Sequence, residues 1–111
     1  MIHAAIERYS YSPIPLDHPD RETWGVAVER AAPRRWAIRN LSHCLNRISG
    51  EWEYEPLPSS RTDEWLEAHR WTQLEEAQLI AARVCGSVTW NGTSAEEIAA
   101  RLEPPFPGGT P

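Results

Sequence analysis

Residues 24–39 read Trp24-Gly25-Val26-Ala27-Val28-Glu29-Arg30-Ala31-Ala32-Pro33-Arg34-Arg35-Trp36-Ala37-Ile38-Arg39. Trp24, Val26 and Val28 alternate with Gly25, Ala27 and Glu29, the period-2 pattern of a strand with one buried face. Ala31-Ala32-Pro33-Arg34 is a turn. Trp36 and Ile38 then alternate with Ala37 and Arg39. Two such runs at short spacing predict an antiparallel hairpin.

Upstream, residues 2–11 are rich in β-formers and predict a first strand. Residues 12–20 hold Pro13, Pro15 and Pro19 and must be a loop, because proline cannot donate to a ladder. Downstream, Ile48-Ser49-Gly50 is a turn. Trp52 and Tyr54 then alternate with Glu51, Glu53 and Glu55, and Pro56 and Pro58 end the run. An antiparallel strand wets one face and buries the other, so the acids are expected in water and the aromatics in the core.

Helices follow. Ser60 or Thr62 caps a short one carrying Trp65, Leu66 and His69. Thr72-Gln73-Leu74-Glu75 fits a capping box before a stripe of Leu74, Ala77, Ile80, Ala81 and Val84, which Gly86 stops. Val88-Thr89-Trp90 is a short strand before the turn pair Asn91-Gly92. Ser94-Ala95-Glu96-Glu97 is a second capping box, opening a helix through Ile98, Ala99 and Leu102. Strands first and helices after predict an α+β fold: a three- to four-stranded antiparallel sheet with two to three helices packed on one face. Residues 1–103 are expected to form a single domain and residues 104–111, Pro- and Gly-rich, a flexible tail.

The chain has 111 residues, a size that fits one domain and buries roughly 65% of its unfolded surface. No apolar run approaches the ~20 residues of a membrane span. The start, Met1-Ile2-His3-Ala4-Ala5-Ile6-Glu7, lacks the basic and apolar regions of a signal peptide, so the cytoplasm is the expected location, with Cys44 and Cys85 as free thiols.

Histidine aside, all eleven basic side chains are arginine; there is no lysine. That excludes a P-loop and Schiff-base chemistry, both of which need a lysine amine. The formal charge is −5. It is uneven: seven arginines stand against five acids in residues 1–50, and four against eleven in residues 51–111. A negative surface disfavours nucleic acid and favours a basic partner.

His43, Cys44, His69 and Cys85 lack the paired spacing of a zinc site, and adjacent His43 and Cys44 point to opposite strand faces, so neither a metal nor a cofactor is expected. Nothing in the sequence places a base beside Cys44 for thiol catalysis, so no catalytic residue is assigned; a small enzyme or metal protein using His43, Cys44, His69 or Cys85 stays as an alternative reading. Glu51, Glu53 and Glu55 form a uniform row, without the contrast that acid–base pairs need. The row is either a solvated face or a contact surface, and its ~6.8 Å repeat comes near a phosphate spacing, which admits a nucleic-acid mimic. The cluster Arg30, Arg34, Arg35 and Arg39 reads as a soluble hairpin tip or a site for an acidic group. Trp24, Trp36 and Trp52 sit on core positions. Trp65 and Trp71 flank a helix break near Arg61 and Arg70, residue types enriched at binding hot spots. The candidate protein-binding surface is therefore Glu51, Glu53, Glu55, Arg61, Asp63, Glu64, Trp65, Arg70 and Trp71. An uncovered strand edge could also pair two copies.

The run Gly50-Glu51-Trp52-Glu53-Tyr54-Glu55-Pro56-Leu57-Pro58-Ser59-Ser60-Arg61-Thr62-Asp63-Glu64-Trp65-Leu66, with His69-Arg70-Trp71 and Leu74-Glu75-Glu76-Ala77, resembles a group of small uncharacterised proteins of actinobacteria and their phages. The resemblance covers residues 35–102. It implies a compact accessory protein of a phage or mobile element that binds a host or phage protein, in one form as an inhibitor of host defence; a minor virion component is an alternative. It carries no activity or site residue across.

Overall fold

The computed structural model describes residues 8–102. The expected tail and residues 2–7 of the expected first strand lie outside them.

Strands β1 (Arg8–Tyr11), β2 (Val26–Ala32), β3 (Arg35–Asn40), β4 (His43–Leu45) and β5 (Trp52–Tyr54) form one antiparallel sheet in chain order. Helices α1 (Asp63–His69) and α2 (Leu74–Val84) follow, then a two-stranded ribbon of β6 (Thr89–Trp90) and β7 (Thr93–Ser94), and α3 (Ala95–Leu102). The class is α+β, but the sheet has one strand more than expected. The addition is β4, whose three residues carry no alternation because both of its faces are covered: Cys44 is buried on one side and Leu45 on the other.

The β2–β3 hairpin stands as the alternation requires. Val28 faces Ile38, and both are fully buried. Arg34, at φ 59°, makes the left-handed corner of its turn. Asn91 and Gly92, at φ 53° and 80°, are the two corners of the β6–β7 turn, the signature of a type I′ hairpin. The main core lies on the face of β2 and β3 that carries Val26, Val28 and Ile38; Leu45, Ala77, Ala81, Val88 and Ala95 pack with them. The ribbon is tied to the sheet by Asn40. Its amide donates to the carbonyls of Thr23 and Gly25, and its oxygen accepts from Trp90 Nε1 at 3.0 Å. A side chain at Gly25 would run into the Arg21 carbonyl, 2.6 Å from where a Cβ would sit, so only glycine lets that loop close.

β4 leaves β3 early. Only Arg39 and Asn40 pair with it, and beyond that point the backbone of Arg47 turns to the carbonyl of Ala68. The gap beside β3 is filled by Trp71, which exchanges backbone hydrogen bonds with Trp36 in an isolated antiparallel bridge. There the chain passes through the plane of the sheet. Before it, α1 lies against Glu53 and Glu55; after it, α2 packs on Val26, Val28 and Ile38. Of the three helices, α2 and α3 pack with the main core, and α1 lies against the opposite face at Glu53. The bridge also keeps the chain extended through Gln73 (φ −113°, ψ 119°), which becomes the N-cap of α2 without a side-chain bond. The box expected at Thr72 and Glu75 does not form. The other two caps do: Thr62 Oγ1 accepts from Trp65 N, and Ser94 and Glu97 bond reciprocally at 3.2 and 3.0 Å.

Candidate functional site

The face under α1 is a layer of charge. Arg39 joins Glu29 (2.7 Å) to Glu55 (2.6 Å), and Arg8 joins Glu29 to Glu22, both at 2.9 Å. Glu55 takes Arg61 as well, at 2.7 Å, and Arg70 at 3.5 Å. Its side chain is only 10% exposed. Burial pushes the Glu55 carboxyl up, but the hydrogen bonds and charge of Arg39, with Arg70 and Arg61, more than offset this and hold it below the usual range. Glu29 behaves likewise: burial raises it, and Arg39 and Arg8 bring it below its ordinary value.

Helix α1 is fixed to this layer by a stack. Trp65 lies flat on His69, with ring centroids 4.1 Å apart and planes 14° from parallel. The guanidinium carbons of Arg61 and Arg70 lie 5.5 and 5.0 Å from the Trp65 ring, within cation–π reach. His69 Nδ1 meets the Trp65 carbonyl at 2.7 Å and Nε2 meets Glu53 at 2.6 Å. The two contacts fix the ring between its own helix and β5. The bond from His69, with one from Asn46, lowers the Glu53 pKa.

The nine candidate surface residues are thus sorted. Glu51, Asp63 and Glu64 are exposed, and Glu53 is partly turned to His69. Trp65 and Arg61 are half-buried. Glu55 is withdrawn beneath three arginines, so the expected exposed row of acids is broken. Arg70 and Trp71, at 4% and 1% exposure, belong to the interior and leave the surface altogether. The aromatic expectation at β5 is corrected too: Trp52 is half-buried, and Tyr54 is 69% exposed. Tyr54 and the neighbouring Leu57, also exposed, are surface residues that sequence reasoning missed. The proline after Glu55 marked the end of the strand but not which aromatic it would leave outside.

The remaining candidates disperse. Arg39 is spent in the charge layer, whereas Arg34 and Arg35 are exposed at the hairpin turn. His43 sits edge-on to Tyr54 and Trp90, on the opposite face from Cys44. Burial first, and Glu55 next, push the Cys44 thiol up to about 11, the reverse of what a nucleophile needs. Burial raises Cys85 as well. Among the described residues, no group of three His, Cys, Asp or Glu side chains converges on a metal position. No helix among them is long and apolar enough to cross a membrane.

β5 is an edge strand. Asn46 N bonds Glu51 O and Glu55 N bonds Ser42 O, which puts Glu53 opposite Cys44 in a hydrogen-bonded pair and leaves Trp52 and Tyr54 in the alternate, non-bonded positions. The N–H and C=O groups of Trp52 and Tyr54 therefore point away from β4, and among the described residues no strand meets them. Beside this edge lies a cleft of about 250 Å³ lined by Asn40, His43, Trp52, Val88, Thr89 and Trp90.

Comparison with family models, with curated proteins and with solved structures found no match.

Proposed function

We propose that this chain is a small accessory protein that acts by binding another protein, and that it offers its partner the acidic surface from β5 to the first turn of α1. One observation carries the reading: charge is segregated here, with arginines inward and acids outward. Arg39, Arg61 and Arg70 all turn to Glu55, while Glu51, Asp63 and Glu64 face solvent with no arginine in ion-pair reach among the described residues. Exposed Tyr54 and Leu57 lie in the same stretch and supply apolar contact. Such a surface fits a basic patch on a partner and would speed encounter by electrostatic steering. The resemblance to small actinobacterial and phage proteins supplies the context: a host or phage partner in the cytoplasm, bound in one form so as to inhibit it. With Glu55 buried, the regular acidic row that favoured nucleic-acid mimicry is interrupted, so protein binding is the better-supported reading.

The test is affinity capture from actinobacterial cells with three baits: the natural chain, a Glu51→Arg/Glu64→Arg variant, and Glu75→Arg on α2 as a control. A discrete protein kept by the natural chain and the control but lost by the double variant supports the reading. Equal recovery by all three, or no specific protein, removes it.

A further inference from the structure

We propose that the open edge of β5 takes an extended segment of the partner by strand addition, and that this segment alternates basic with apolar residues. The proposal rests on the binding role proposed above and specifies its mode.

Four outward main-chain groups, the N–H and C=O of Trp52 and of Tyr54, give the edge its capacity to extend the sheet; in strand addition, main-chain bonds supply affinity and alternate side chains supply specificity. The alternation of β5 then dictates the incoming sequence. On one face Glu51 and Glu53 present carboxylates, so side chains of the added strand on that face should be basic. On the other face Trp52 lines the 250 Å³ cleft with His43 and Trp90, and Tyr54 stands exposed beside His43. Side chains on that face should be apolar, with one large enough to enter the cleft.

The same charges argue against a second copy of this chain as the occupant. Antiparallel self-pairing about Glu53 would set Glu53 directly against its counterpart and bring the two Glu51 side chains to the same face, and like charges opposite one another destabilise a ladder. The edge is also only three residues long, a length that blunts indiscriminate pairing. It favours a segment that brings its own charge complement.

The probe is a synthetic octapeptide alternating arginine with valine, with phenylalanine at one central apolar position. Binding is followed by NMR of the full chain, reading the Trp52 and Tyr54 amides. Two N-methylated forms are compared, one blocked on each edge of the peptide. The expected result is protection of the Trp52 and Tyr54 amides, with binding weakened roughly tenfold or more by methylation of one edge and little by the other, because only one edge bonds to β5. A protein-side check is Tyr54→Pro, which removes an outward donor that the sheet does not use and should abolish the same binding. If that variant fails to fold, the peptide pair still decides. Equal binding of both methylated forms would show charge attraction alone and overturn strand addition, as would absence of binding at millimolar peptide. Either result leaves the captured partner, and its dependence on Glu51 and Glu64, standing or falling separately. A concentration-dependent dimer that protects the Trp52 and Tyr54 amides would also overturn the proposal, in favour of a second copy.

Discussion

The backbones of Trp36 and Trp71 exchange two hydrogen bonds, each 2.8 Å long, and so close the gap where β4 leaves β3. The Trp71 ring reaches the main core and is 1% exposed, although its indole N–H finds no acceptor among the described residues. Trp71→Ala should therefore cost about 3–5 kcal/mol, a large share of the stability of a domain this size. Trp71→Phe deletes the unpaired N–H and keeps a ring, and should cost clearly less. Urea unfolding of both variants measures this; a larger loss for phenylalanine than for alanine would contradict it.

Glu55 anchors three arginines, so Glu55→Gln should lower stability at neutral pH by about 2–3 kcal/mol. An exposed acid of the same stretch provides the contrast. Glu64→Gln should stay within ~0.5 kcal/mol. Similar losses for the two would place Glu55 in solvent.

The same carboxylates set the response to acid. Glu55 and Glu29 are held below their ordinary values in the folded chain, so on acidification the unfolded chain takes up protons first. Their contribution is complete above the ordinary carboxylate pKa of ~4.3 and is lost as pH falls through the depressed folded values. The urea midpoint of the natural chain should fall steeply from about pH 5 downward, and Glu55→Gln should flatten that fall, leaving the share due to Glu29 and the other depressed carboxylates. Parallel curves would show that Glu55 does not carry the acid sensitivity.

Cys44 is fully buried and its thiol is pushed up to about 11, so it stays protonated near neutrality. Iodoacetamide at pH 8 should label Cys85 slowly and Cys44 only through unfolding. Peptide mass mapping with and without urea separates the two; rapid native labelling of Cys44 would contradict its burial.

Of the helix starts, Ser94→Ala should cost about 1 kcal/mol because it breaks the bond to Glu97 N. Thr72→Ala should be nearly neutral, since Gln73 and not Thr72 caps α2. Thermal unfolding midpoints in this order check the assignment.

The sequence made the β2–β3 hairpin legible because Val26, Val28 and Ile38 keep strict alternation over a single core. The Asn91-Gly92 turn and the Ser94 box were legible because each is decided by its own few residues. β4 was hidden because a strand buried on both faces has no period to read. The burial of Glu55 was hidden for another reason: its arginines, Arg39 and Arg70, lie far from it in the chain, and only the fold brings them there. Thr72 shows the converse, a sound local signal overridden when Trp71 is drawn into the sheet. At the candidate surface, residue types pointed to the right stretch, but Arg70 and Trp71 turned inward and Tyr54 outward.

Arg70 and Trp71 are neighbours whose side chains leave the sheet in opposite directions, one toward Glu55 and the other into the main core. A slip of a single residue at this crossing would drive a guanidinium among Val26, Val28 and Ile38 and set an indole among carboxylates. The crossing is thus a register lock. The two faces cannot be assembled independently and adjusted later, and any misaligned pairing of the sheet is penalised on both sides at once.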